Sequence, residues 1–230
     1  MLKHFGWMTL AVSVAACGGG GGTGSPAPTQ TPDQTLSTDE ITVSRATNSG
    51  NLTIQSDDTP TEAVVTYNES SASLSSSLVA GDPGQSITTQ TGSARFTGDY
   101  VGLIVNEDTE TVSWAVTGDT SLTVNFTNRT VNGGISNRRL RDPDTGAVDA
   151  NATSATLTLG TTSVSTSNNL FAGDATGGGI NGRATTFGTY NGQIVLGADQ
   201  TAAGVLSIEH VSPTSGAENL PEFGSFTATR

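Results

Sequence analysis

Through most of the chain, apolar and polar residues alternate with a period of two. Leu122, Val124 and Phe126 alternate with Thr123, Asn125 and Thr127, which puts apolar side chains on one face and polar ones on the other. That pattern predicts a half-buried antiparallel strand. Similar short runs lie at 94–105, 111–117, 130–136, 155–159, 188–196, 204–210 and 224–229, and no long helical period interrupts them. Between them stand Asn106-Glu107-Asp108, Gly118-Asp119, Asn128-Arg129, Asp142-Pro143-Asp144-Thr145-Gly146 and Asn168-Asn169, whose side chains favour turns. Many short strands at this spacing predict a sandwich or a barrel. Glycines inside the runs, at Gly98, Gly102, Gly133, Gly134, Gly188, Gly192 and Gly204, weaken a flat strand and permit the bends of a closing one. Closure also removes the unpaired edges that aggregate, so the pattern favours an antiparallel barrel.

Upstream, from residue 39 to 92, the apolar residues come in shorter pieces: Ile41 and Val43, Leu52 and Ile54, then Ala63-Val64-Val65-Thr66-Tyr67. A few short strands of this kind hold too little apolar area to stand alone, and the segment is expected to pack on the strands downstream of it. Residues 70–77, rich in serine, read as a flexible connector in which Leu74 and Leu78 hint at a helical turn. Residues 17–38 are read as a tether: after Cys17 come Gly18 to Gly22 and a run rich in proline and threonine to Pro32, with nothing apolar in it to drive packing.

Before the tether, Phe5 to Ala16 form an apolar run too short to cross a bilayer as a mature helix, and the run ends in small residues at Cys17. The arrangement resembles a bacterial lipoprotein signal, which is cut just before a cysteine that receives lipid. Cys17 is the single cysteine of the chain, so its thiol is spare for lipid attachment, and several acyl chains on one cysteine would give stable anchoring where a single chain would not. With glycine rather than an acidic residue following Cys17, the signal resembles those of lipoproteins passed to the outer membrane. The expected plan is a signal peptide at 1–16, a tether at 17–38, a small β region at 39–92 and a barrel at 93–230.

Charge narrows the partners. The formal net charge is −12, from 21 acidic against 9 basic residues, with only 13% of residues charged. Such a surface repels nucleic acid and anionic lipid and favours solubility and cationic partners. The folded body is expected to be a monomer.

Catalytic chemistry finds few residues. Once the leader is gone, His210 is the remaining histidine, so neither a Cys-His pair nor a multi-histidine metal site can form, and no nucleophile-elbow sequence accompanies the serines. The chain is therefore expected not to be an enzyme. Haem ligation is the sharper alternative, because it needs His, Met, Cys or Tyr, and both methionines lie in the leader. His210 is the candidate axial ligand, with Tyr67, Tyr100 and Tyr190 in support, and its strand period puts it on the face of Leu206 and Ile208. Asp142, Asp144 and Asp149 make a fragment of a calcium loop without the closing bidentate glutamate. Arg138, Arg139 and Arg141 form either an anion-binding fork or partners of Asp142 and Asp144. Trp114, between Val112 and Val116, reads as barrel core.

The runs Ala94-Arg95-Phe96-Thr97-Gly98-Asp99-Tyr100-Val101-Gly102, Leu122-Thr123-Val124-Asn125-Phe126 and Thr130-Val131-Asn132-Gly133 resemble the barrel domain of transferrin-binding protein B and its relatives. Phe187-Gly188-Thr189-Tyr190-Asn191-Gly192, Ala203-Gly204-Val205 and the C-terminal Phe223-Gly224-Ser225-Phe226 resemble that domain's closing hairpins. Asn191 and Gln193 stand where the family usually has an aromatic residue and a proline. The resemblance implies an eight-stranded antiparallel β-barrel with a small handle-like β region, displayed on the outer membrane to hold a host or environmental protein, haem or another small ligand. One barrel's worth of sequence speaks against transferrin itself. A haem or small-ligand carrier and a structural envelope lipoprotein are the alternative readings.

Overall fold

A computed structural model describes residues 31–32, 36–38, 41–45, 51–56, 60–68, 70–71, 73–106, 109, 111–214 and 219–230. The leader, Cys17 and most of the tether lie outside the described residues. Among the described residues, thirteen strands in chain order make two antiparallel sheets, and no α-helix occurs. The small sheet has the order β1 (Thr31–Pro32), β2 (Ile41–Arg45), β3 (Leu52–Ser56), β4 (Glu62–Asn68) and β5 (Ser73–Val79), β1 being a two-residue pairing on β2. The other eight strands close a barrel. They are β6 (Ser93–Asn106), β7 (Thr111–Asn125), β8 (Thr130–Arg141), β9 (Leu157–Ser163), β10 (Leu170–Gly177), β11 (Ala184–Val195), β12 (Thr201–Val211) and β13 (Leu220–Thr229).

The eight strands follow one another as a meander, and a single pairing closes it. The last strand pairs with the first, Phe226 opposite Tyr100 and Gly224 opposite Gly102. Every barrel pairing is antiparallel. Alternation sends Phe96, Tyr100 and Ile104 of β6, Leu206, Ile208 and His210 of β12, and Phe226 of β13 to the interior, where all are buried. Three strand glycines receive two of these rings, Gly102 and Gly224 that of Tyr100 and Gly204 that of Phe226. A methyl group on Gly204 would lie 2.3 Å from the Phe226 ring and 2.3 Å from the Asn191 carbonyl oxygen, so at this spot only glycine lets the neighbouring strand and ring approach.

The small sheet lies on the outer wall of the barrel. Ile41, Val43, Ile54, Val65 and Tyr67 form one buried cluster with Val101, Leu103 and Val105 of β6, Ala115 of β7 and Val205 of β12. β6 is therefore buried on both faces, which explains its run of consecutive apolar residues. Gln193 links the two sheets. Its side-chain oxygen accepts from Thr61 Oγ1 and from the Gly81 amide at 2.9 Å, and its Nε2 donates to the carbonyls of Gly81 at 3.1 Å and Asn168 at 2.9 Å. One barrel mouth is closed by the segment between β5 and β6, where Ile87 of a short 3-10 turn (Ile87–Thr89) enters the interior cluster and its amide donates to Asn169 Oδ1 at 2.9 Å.

Two expectations are corrected, and one strand was not foreseen. Residues 70–77 are not a connector: Ser73 to Val79 form strand β5, because pairing with β4 satisfies their backbone whatever their propensity. Gly118-Asp119 is not a turn: β7 runs straight through it, and Asn137 and Arg138 of β8 together oppose Gly118 as a bulge. Strand β10, Leu-Phe-Ala-Gly-Asp-Ala-Thr-Gly, has weak β-propensity and no clear alternation, and only its two neighbours make it a strand.

Candidate functional site

The β8 bulge decides where the arginines point. Val131 and Ile135 face inward, so an unbroken period would send Asn137 inside and Arg138 out. The bulge absorbs one residue, with Asn137 at φ 50°, and turns Arg138 into the barrel. There it meets Glu222 of β13. Arg138 Nη2 donates to Glu222 Oε2, His210 Nε2 lies 2.6 Å from the same oxygen, and Tyr100 Oη donates to Oε1 at 2.7 Å. The Arg138 and His210 side chains and Glu222 have no exposure to solvent. Burial alone would push the Glu222 carboxyl up, but the Arg138 charge and the hydrogen bonds from His210 and Tyr100 outweigh it and hold the group down at about 2. Burial, reinforced by the Glu222 charge, pushes the Tyr100 phenol well above its ordinary value.

The cluster also ties the loops over the second mouth. Arg138 Nη1 donates to the Ala155 carbonyl at 3.1 Å and to that of Gly178, while Ile180 fills the interior beside it. One carboxylate thus connects β6, β8, β12 and β13, and its arginine reaches two loops.

Outside, Arg139 and Arg141 face a hollow of about 450 Å³ between the barrel wall and residues 36–38. Its walls carry Asp99 and Asp119, directly opposite each other on β6 and β7, with Asn137 donating to the Asp119 carboxylate. Arg141 is braced, Nε on Thr117 Oγ1 at 3.0 Å and Nη1 on the Gly146 carbonyl at 2.9 Å. Arg139 is exposed and stands between this hollow and a second of about 310 Å³ that includes Asp149 and Ser154. The surface offers guanidinium forks and carboxylates side by side, suited to a partner with groups of both signs.

No family model matches the chain, and no curated protein is similar to it in sequence. Among solved structures, it is similar to a point mutant of Transferrin Binding Protein B, a vaccine antigen from Haemophilus parasuis Hp5. The TM-score is 0.41, with 11% sequence identity over 84% of this chain and 38% of that one. The chain spans well under half of that protein. The likeness is coarse, and the reading of the site rests on the geometry.

The sequence candidates fall in different places. His210 shares the face of Leu206 and Ile208, as its period required, but both ring nitrogens are buried, Nε2 on Glu222 and Nδ1 without a hydrogen-bond partner. Neither of the two outer hollows is lined by His210. Of the tyrosines, Tyr100 joins His210 through Glu222. Tyr67 belongs to the small sheet, and Tyr190 donates to the Gly160 carbonyl, its phenol pushed up to about 12 chiefly by burial and further by Asp174. Asp142 closes its own turn, Oδ1 accepting from the Thr145 amide at 2.8 Å, the Thr145 hydroxyl at 2.9 Å and the Asp144 amide at 3.0 Å. The two backbone bonds and the hydroxyl bond together lower its carboxyl. Trp114 is half-buried against the interior cluster. Glu222 was missed, although the alternation Leu220, Glu222, Gly224, Phe226 places it inside.

Proposed function

We propose that the chain is a non-enzymatic recognition lipoprotein, anchored to the outer membrane through acylated Cys17, that holds a protein or a small charged solute on the outside of its barrel. The observation that carries this reading is the division of the arginines: Arg138 is committed to Glu222 inside, while Arg139 and Arg141 line an open hollow. With Phe96, Tyr100, Tyr190 and Phe226 filling the interior, the groups left to meet a partner are exterior ones, which supports a surface binder over an interior carrier. The leader and tether supply the anchor and the reach.

The test has two arms. Cells making the full chain are labelled with palmitate and fractionated; label on the wild type and none on Cys17→Ala is expected, with the wild type in the outer membrane. Purified chain and an Arg139→Ser/Arg141→Ser variant are then used as bait for proteins and small solutes. A ligand held by the wild type and lost from the variant is expected. A soluble, unlabelled protein overturns the anchor, and binding that survives the double substitution overturns the site.

A further inference from the structure

The small sheet ends at β5, and among the described residues no strand pairs with its outer edge. Proteins usually protect such an edge with lysine, proline or a bulge. β5 has none of these: Ser73 to Val79 contain only serine, leucine and valine, and they pair with β4 in unbroken register along their whole length. Its last residue, Val79, is 44% exposed. The segment Leu74-Ser75-Ser76-Ser77-Leu78 also reads the same in both directions. A two-fold symmetric contact requires a surface complementary to itself, and an antiparallel strand with a palindromic sequence meets that condition.

We propose that β5 is a self-association edge, on which two copies of the chain pair antiparallel about a two-fold axis at Ser76 and fuse their small sheets into one. In that register Ser76 faces its own copy, Ser75 faces the partner's Ser77, and Leu74 faces the partner's Leu78. Leu74, Ser76 and Leu78 are the more buried positions of β5, so the leucine pairs extend the apolar underside of the sheet while the outer serines pair by hydroxyl groups. Charge favours a second copy over a foreign strand. β5 carries no ionised side chain, so the net charge of −12 is not concentrated at the contact, and a cationic strand would find no carboxylate in β5 to select it. The contact is short and belongs to the weak class of interfaces.

Sedimentation equilibrium of the full chain bearing Cys17→Ser, at up to roughly 1 mM to reach weak affinities, is expected to show mass rising toward twice the monomer. Ser75→Lys/Ser77→Lys sets lysines opposite lysines across the axis, and this variant is expected to stay monomeric with an unchanged circular dichroism spectrum. Ser76→Cys, on the axis, is expected to cross-link under mild oxidation much faster than Ser73→Cys. A wild type that keeps the monomer mass overturns the proposal, as does a folded lysine variant that still dimerises. Should the lysine variant fail to fold, the cross-link decides: equal rates for the two cysteine positions overturn the pairing.

Discussion

Glu222 stays ionised inside an apolar barrel because Arg138, His210 and Tyr100 all turn polar atoms toward it. Such a cluster is costly to break from one side. Glu222→Gln keeps the volume but leaves the Arg138 charge unpaired, and a loss of about 3–5 kcal/mol is expected, read as a lower denaturant midpoint. Replacing Arg138 and Glu222 together by methionine and leucine is expected to cost far less, since no charge is then stranded. The pH dependence comes from the same group. Its folded value of about 2 lies below the ordinary 4.5, so its contribution is present above about 4.5 and lost as pH falls toward 2. Acid titration of the unfolding midpoint should show that fall in the wild type and a much weaker one in Glu222→Gln. Glu222 was legible as an inward position on β13, whereas Arg138 was not, because its direction depends on a bulge.

At the level of the strand, several glycines mark where an aromatic ring comes close to the backbone. Tyr100 covers Gly102 and Gly224, which face each other across the seam of first and last strands, and Phe226 covers Gly204. Gly204→Ala forces its methyl into a ring and a carbonyl oxygen, and overpacking of about 1–3 kcal/mol is expected. At roughly 2–4 °C per kcal/mol for a chain of this size, that is a clear drop in Tm. Gly197→Ala, where nothing lies within 4 Å of the added methyl, is expected to leave Tm nearly unchanged. Glycine frequency in the strands was readable as a sign of closure. Which ring meets which glycine was not, since that depends on register between distant strands.

For the whole molecule, the barrel and the small sheet depend on each other. Val101, Leu103, Val105, Val205 and Phe223 are outward positions of a barrel, yet they lie beneath the small sheet. A chain beginning at residue 93 would expose them as one apolar patch and is expected to aggregate, as light scattering would show. Gln193→Leu removes the hydrogen bonds to Thr61, Gly81 and Asn168. Limited proteolysis of this variant should cut within residues 31–92 sooner than in the wild type, while the barrel stays resistant. The weak apolar content of residues 39–92 foretold docking. The side chain that holds them could not be foretold, because Gln193 lies more than a hundred residues away in sequence.

Alternation with a period of two is a local property, and it was enough to determine an all-β chain, the inward face of most strands and the need for the first sheet to find cover. The positions of Arg138, β10, β5 and Gln193 were decided only in three dimensions. A bulge inverts the period for every residue beyond it, and a segment of weak propensity becomes a strand when neighbours on both sides bond its backbone. Those effects arise between residues far apart in the chain, where no pattern along it can register them.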